Sequence, residues 1–486
     1  MKTEADMEEK IAGCRRGLRP STIRLLIATL CAIQFVDVLG TTVVIVALPT
    51  VQADLNLGEG AREQVAATYA LLFGALLLLA GRLADAWGAR RLFIAGLVTF
   101  GAGSVVGGLA PDGVTLIVGR GIQGIGAALA VPSALAIVAG VFPPGESRNR
   151  VLGYWAATVA AGGAAGFALG GVITDVISWR WTLLLNVPPI LAATIVMLLI
   201  HVPEPARGRI TIPLIPSLTL TVGLLALSLG LTNGQTRALD PVAVLLPVAA
   251  GVALLGMFVR GEHRERPLVP RSAWRDRALL TGSAVGFTLT FTTSAGAVLL
   301  TLYLQQIKGM SASETGWLLA PFSIAVIAGA SLGSRLVSRC GAVGPMRWGL
   351  IGVAGSLGIH VIALGLGSVA GIVAGLVLSG LTLGIAAVAS TAHGLAATAA
   401  ATHGAASGLL NAAARVGTAI GIATFGIIAA TGRSILPDTD IAATVGGYQA
   451  AHVTGIVLVL VTVALIRDPL PGAAPRAGSD GRPRNT

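Results

Sequence analysis

The stretches "GRLADAWG" (81–88) and "SRLVSRCG" (334–341) stand far apart in the chain yet share a pattern. Each has a small residue, Arg-Leu and a closing Gly, and each follows an apolar run long enough for a helix to cross a bilayer. Aligned on Gly88 and Gly341, they read as the same turn after the second helix of two copies of one bundle. If each copy holds six helices, spans 1–6 and 9–14 are the halves, and spans 7 and 8 are an insert between them.

The composition outside these turns suits lipid. The 486 residues are 54% hydrophobic and 11% charged, with a mean hydropathy of +0.83. Soluble domains carry about 25% charged residues. Fourteen apolar spans can be placed, near residues 24–48, 62–80, 91–110, 114–138, 151–174, 181–201, 213–232, 241–259, 279–304, 315–334, 348–367, 369–391, 404–430 and 442–465. The expected fold class is therefore an all-α polytopic membrane protein. Its expected parts are an N-terminal tail (1–23), a six-helix bundle (24–201), two inserted helices (202–259), a linker (260–278), a second six-helix bundle (279–466) and a disordered tail (467–486).

The net charge of +11 reports topology rather than nucleic-acid binding. Of the 33 Lys and Arg, 26 fall in the termini and the even-numbered loops, five in the odd-numbered loops and two, Arg120 and Arg415, inside spans. By the positive-inside rule both termini and the even loops are cytoplasmic. Cys14, Cys31 and Cys340 form no disulfide framework, and "MKTEADMEEKIAGCRRGLRP" has no signal-peptide core. Gly-x-x-x-x-Gly-Lys-Ser/Thr is absent, as are metal-ligand clusters and nucleophile triads, so no ATP hydrolysis, cofactor, metal or enzyme activity is expected. The Ala, Gly and Arg bias fits a high-GC bacterial source and a cytoplasmic membrane.

Asp37 is the only charged residue between Arg24 and Asp54. An Asp at the bilayer centre costs about 2.5–3.5 kcal/mol on insertion scales, and intramembrane acids are functional by default. Burial disfavours the ionised carboxylate and a guanidinium nearby favours it, so the two together leave a group able to exchange a proton. Asp37 thus reads as a proton carrier or a substrate-cation site, or else as a structural acid permanently paired with an Arg. Arg120 is the expected partner, unless it bonds backbone carbonyls and fixes packing. Gln34, Tyr69 and Gln123 are polar neighbours that either line a cavity or make packing hydrogen bonds. Asn411 and Arg415 are further cavity candidates; Arg415 needs an anion or a carbonyl to meet it. Gly162, Gly166 and Gly170 recur every four residues and present one close-packing face. His360 is an intramembrane imidazole more suited to packing than to titration.

Several stretches together carry a resemblance. "GRLADAWGARR" (81–91) is similar to the second-to-third-helix loop of the major facilitator superfamily, and "VGRGIQGIGAAL" (118–129) to its fourth-helix Arg motif. "GAAGFALGG" (163–171) resembles its antiporter motif, with Phe167 where the family has Pro. "VALPTVQADL" (46–55), "SWRWTLLLNVPP" (178–189) and "GLLNAAARVGTAIG" (408–421) are similar to the fourteen-helix drug:proton antiporter branch. The resemblance implies a major facilitator fold of two six-helix bundles plus two inserted helices. It implies that Gly81, Asp85, Gly88, Arg90 and Arg91 form a gating latch, with Asp85 facing the amino end of the thirteenth helix. In the branch a first-helix acid stands at the position of Gly40 and an Asn at that of Ile45; Asp37 lies three residues before Gly40, on the same helical face.

These readings point to proton-coupled efflux of small hydrophobic or cationic drugs, antibiotics or secondary metabolites by a monomer working through alternating access. An importer or uncoupled facilitator of the same fold, and a transport-inactive receptor or scaffold, are the alternatives.

Overall fold

Lipid offers the backbone no hydrogen-bond partner, so apolar runs of this length satisfy their amides internally and become helices. A computed structural model describes residues 20–142, 146–200, 214–236, 241–261, 275–396, 403–434 and 441–466. The helices are α1 (Pro20–Asp54), α2 (Glu59–Trp87), α3 (Ala89–Gly108), α4 (Gly113–Val141) and α5 (Glu146–Val176), then α6 in two pieces (Arg180–Leu184 and Val187–Leu199). There follow α7 (Leu214–Thr236), α8 (Pro241–Gly261), α9 (Arg277–Leu302), α10 (Ala312–Cys340), α11 (Val343–Leu366), α12 (Val369–Leu395), α13 (His403–Ser434) and α14 (Ile441–Leu465). Among the described residues there is no strand. Thirteen helices there are long and apolar enough to cross a membrane, and α7 adds a shorter apolar segment, Ile215–Leu231.

The helices differ from the expected spans at informative places. The first begins at Pro20, ahead of the expected residue 24. The sixth is interrupted before Val187, where Pro188 and Pro189 open the second piece from its first turn. The ninth passes its expected end at residue 304 through a π-helical turn, Tyr303–Ile307. The two tails and most of the linker lie outside the described residues.

The chain packs as two six-helix bundles of one design. The pairs α1·α5, α2·α4, α3·α4 and α3·α6 of the first recur as α9·α13, α10·α12, α11·α12 and α11·α14 in the second. The repeat seen in the two turns also holds at the level of atoms. Gly88 (φ 96°) donates its N–H to Ala84 and Gly341 (φ 76°) to Val337, at the same offset. Both glycines adopt the left-handed backbone that side chains rarely tolerate. An arginine after each turn then reaches the last helix of its own bundle. Arg90 donates to the carbonyls of Met197 (2.7 Å from Nη2) and Ile200 (3.1 Å from Nε), and Arg347 donates to that of Ile466. The last carbonyls of a helix lack intrahelical donors as a rule, and a cation at a helix carboxyl end is favourable.

The bundles meet along two seams, α2–α13 and α5–α10. α7 lies over the first: Leu224, 4% exposed, packs with Ala67, Ala70, Leu71 and Ala75 of α2 and Ala419 of α13. α8 packs mainly on α7. We call the face bearing the ends of α1 and α14 at Pro20 and Leu465 the terminal face, and the other the distal face. Near the distal face one apolar core contains residues of both bundles, among them Val46, Leu48, Leu299, Leu302 and Leu319.

Candidate functional site

Asp37 is the central residue of the 35-residue α1. At 1.5 Å per residue it lies about 25 Å from either end. Its side chain is fully buried, and three groups hold it. Tyr69 of α2 donates its hydroxyl to Oδ1. Gln34 Nε2 donates to Oδ2 at 3.3 Å, and Arg415 Nη2 of α13 pairs with the same oxygen at 3.1 Å. Burying an ion is tolerated only when it is paired and hydrogen-bonded, and this carboxylate has both.

The expected pairing of Asp37 with Arg120 is therefore corrected: its partner is Arg415, from the opposite bundle. Arg120, 1% exposed, is turned aside by nearer acceptors. It donates from Nε to the Val65 carbonyl (3.2 Å) and from Nη1 to Gln123 Oε1 (2.9 Å). Gln123 in turn donates to Ser104 Oγ at 2.8 Å. The guanidinium of Arg120 sits 4.5 Å from the Tyr69 ring centroid, so Tyr69 stands between it and the acid. Gln34, Asp37, Tyr69, Arg120, Gln123 and Arg415 thus form one connected polar cluster in an apolar bundle.

Arg415 is the solvent-facing member, with its side chain 26% exposed. Its guanidinium lies 4.2 Å from the centroid of Phe73, a favourable cation–π distance. Gly74 lets α2 approach closely, since a Cβ there would come within 2.8 Å of Arg415 Cβ. The backbone carrying Arg415 is thereby pressed against the first bundle at the α2–α13 seam. Sequence placed an unmatched cation in span 13, but the register of that helix against α2 is what delivers it to Asp37. Asn411, one turn nearer the terminal face, is exposed, stands apart from the cluster and donates to the Ser407 carbonyl on its own helix.

The remaining expected residues divide by location. Gly162, Gly166 and Gly170 face α1: a Cβ on Gly170 would stand 2.8 Å from Val43 Cα, and one on Gly162 the same distance from the Phe35 carbonyl. Gly163 and Gly171, on the next face, turn to α10, and Phe167 contacts Phe322 edge to face at 6.4 Å. Gly81 has nothing within 4 Å of a Cβ position, so close packing does not demand glycine there. Arg91 is exposed and Arg90 is held at the end of α6. The Asp85 side chain and residues 397–402 before α13 lie outside the described residues. At Gly40, where the branch carries an acid, the nearest side chain is Asn186 (Nδ2 3.3 Å from a Cβ position), buried with both amide atoms unpartnered. His360 lies elsewhere, in the second bundle, 5.5 Å from the His452 ring.

The Major Facilitator Superfamily profile matches residues 30–422 and, separately, 283–484. The chain belongs to the Major Facilitator Superfamily. It is 32% identical over 485 residues to the cephamycin export protein CmcT of Amycolatopsis lactamdurans, with 94% of this chain and 95% of that one covered. It is 38% identical over 331 residues to the MFS-type transporter EfpA of Mycobacterium tuberculosis, covering 65% of this chain and 60% of that protein's length. The tetracenomycin C resistance and export protein of Streptomyces glaucescens is 30% identical, with 85% and 77% covered. Such relatives place the chain in the superfamily's drug antiporter branch. Solved superfamily structures share the fold. A bacterial homologue of the human lysosomal transporter Spinster superposes with a TM-score of 0.65 at 15% identity, covering 92% of this chain and 96% of that one. A peptide transporter, POT, gives 0.67 at 15% identity, with 90% and 94% covered. This Major Facilitator protein is thus a multi-pass membrane protein.

Proposed function

We propose that the protein exports small hydrophobic or cationic drugs, antibiotics or secondary metabolites across a bacterial cytoplasmic membrane, in exchange for protons. Asp37 is the proton-carrying group. The observation that supports this most is the Asp37–Arg415 pair: a fully buried acid in one bundle, compensated by an arginine of the other that remains partly open to solvent. Removing one partner from a buried pair costs about 3–5 kcal/mol, and the exposure of Arg415 puts this pair at the low end. Rocking of the bundles draws α13 away from α1, and Asp37 must then take a proton or a cationic substrate in place of Arg415. Exchange between these occupants couples cargo to protons. Tyr69 and Gln34 keep the carboxyl oriented in either state, and Arg120 holds Tyr69 through its ring. Export by relatives such as CmcT, as its name states, supports the direction. The charge distribution, by the positive-inside rule, supports cytoplasmic termini.

The energetics suffice. One proton moving down about 100 mV releases about 2.3 kcal/mol, and about 1.4 kcal/mol corresponds to a tenfold gradient. The resulting accumulation is about 40-fold for a neutral cargo.

The test is flux in everted vesicles carrying wild type or Asp37→Asn, with a panel of fluorescent cationic dyes under an imposed pH gradient. Wild type moves dye with the gradient, and Asp37→Asn loses that dependence. Equal transport by both removes Asp37 from the coupling step. Dye movement by wild type that ignores the gradient indicates an uncoupled facilitator.

A further inference from the structure

At the distal end of the α5–α10 seam an acid of one bundle caps a helix of the other. Asp175, on the last turn of α5, accepts hydrogen bonds from the backbone N–H groups of Ser313 (2.7 Å) and Ala312 (3.3 Å). These are the first residues of α10, which is already capped from within its own chain segment. Ser311 accepts from the Glu314 N–H, and the Glu314 carboxylate accepts from the Ser311 N–H. Asp175 takes N–H groups that this box leaves over. A carboxylate at a helix amino end gains both from the dipole and from charge-assisted hydrogen bonds.

The backbone aims this contact. Gly171, one turn before Asp175, lets the helices touch, since a Cβ there would lie 2.7 Å from Ser313 Cα. Two more polar contacts join the bundles at the same face. Gln305 Nε2 donates to the Val46 carbonyl at 2.9 Å, and Gln306 Nε2 to Gln52 Oε1 at 3.3 Å. Gln52 also accepts from Arg62 Nη1 at 3.1 Å. All of these groups can trade a protein partner for water when the bundles part, whereas the apolar core beneath them cannot.

We propose that Asp175 and the first turn of α10 form a distal latch, which holds the distal mouth shut while the terminal mouth serves the cargo. The inference rests on the alternating-access reading above. It assigns to the distal face the chemistry that the loop motif's resemblance implies for Asp85 at the terminal face: an aspartate of the first bundle meeting the amino end of a helix in the second. The Asp175 contact joins the two bundles and does not survive the opening of the distal face.

The experiment measures distances rather than transport, so loss of proton coupling and loss of the latch are separable. In a background with Cys14, Cys31 and Cys340 replaced by Ala, spin labels are placed at Ile177→Cys and Lys308→Cys, and the protein is reconstituted in lipid nanodiscs. The parent gives mainly the short distance of a closed distal mouth. Asp175→Ala raises the ratio of long to short distances about tenfold, the scale set by one or two charge-assisted hydrogen bonds. Asp175→Asn, which keeps one acceptor oxygen, gives a smaller rise. Glu314→Gln, which weakens α10's own capping box without touching the seam, leaves the distribution unchanged. The proposal is overturned if Asp175→Ala matches the parent, or if Glu314→Gln shifts the distances as far as Asp175→Ala does. Should Asp175→Ala fail to insert, an unchanged distribution in Asp175→Asn overturns it equally.

Discussion

Asp37 and Arg415 lie on different bundles, and each is the other's charge compensation within the apolar interior. A double-mutant cycle reads that dependence directly. Arg415→Gln leaves an uncompensated buried acid and lowers thermal stability by several degrees, measured by fluorescence-detected size exclusion after heating. Asp37→Asn combined with Arg415→Gln recovers most of the loss, because two neutral amides replace two ions. A double variant no more stable than Arg415→Gln alone would show that the arginine matters for packing rather than for charge. Tyr69→Phe keeps the ion pair and the ring under Arg120 but removes one hydrogen bond to the acid. Its expected effect is a displaced pH profile of dye flux with folding unchanged, seen as a shifted midpoint in the vesicle assay.

Helices in this protein are set by their small residues as much as by their apolar ones. The glycines of α5 bring it against α1 on one face and α10 on the next, so α5 packs on both bundles. Gly170→Ala drives a methyl to within 2.8 Å of the Val43 Cα, which is backbone and cannot swing aside. Overpacking of this kind costs about 1–3 kcal/mol, and the expected outcome is a lower melting temperature and less folded protein. Gly81→Ala meets nothing within 4 Å and gains helix propensity of up to about 1 kcal/mol. It is expected to be neutral or mildly stabilising in the same heating assay. Opposite outcomes would show that the packing faces of α2 and α5 have been wrongly assigned.

Across the whole molecule the two seams are unequal. The α2–α13 seam lies under α7, and from it Arg415 of α13 reaches Asp37 of α1, while α5–α10 carries the Asp175 contact. The insert therefore lies as a strap over one seam, with Leu224 in an apolar cluster that holds residues of both bundles. Large-to-small changes at buried leucines cost about 2–5 kcal/mol. Leu224→Ala is expected to loosen the strap and lower the melting temperature, whereas Leu246→Ala, on the outward face of α8 and 66% exposed, leaves it unchanged. Equal losses from the two would mean that the insert contributes only as hydrophobic mass.

The sequence by itself determined the class and the repeat, and it singled out Asp37 as an acid within an apolar span. Long apolar runs permit no other backbone solution in lipid, Gly88 and Gly341 mark turns whose positive φ suits glycine, and a lone carboxylate inside a span stands out against its surroundings. The glycine stripe of α5 was legible for the same reason, since a four-residue period is a property of one helix. Partnership was not legible. Arg120 stood nearer to Asp37 in the chain than Arg415 does, yet a carbonyl of α2 and Gln123 claim it first. Only the tertiary structure decided that Arg415 crosses the seam, that Asp175 reaches α10 and that Leu224 joins an apolar cluster holding residues of both bundles. Periodicity reports the face a residue occupies on its own helix; helix register across an interface depends on packing between segments hundreds of residues apart, which no local pattern encodes.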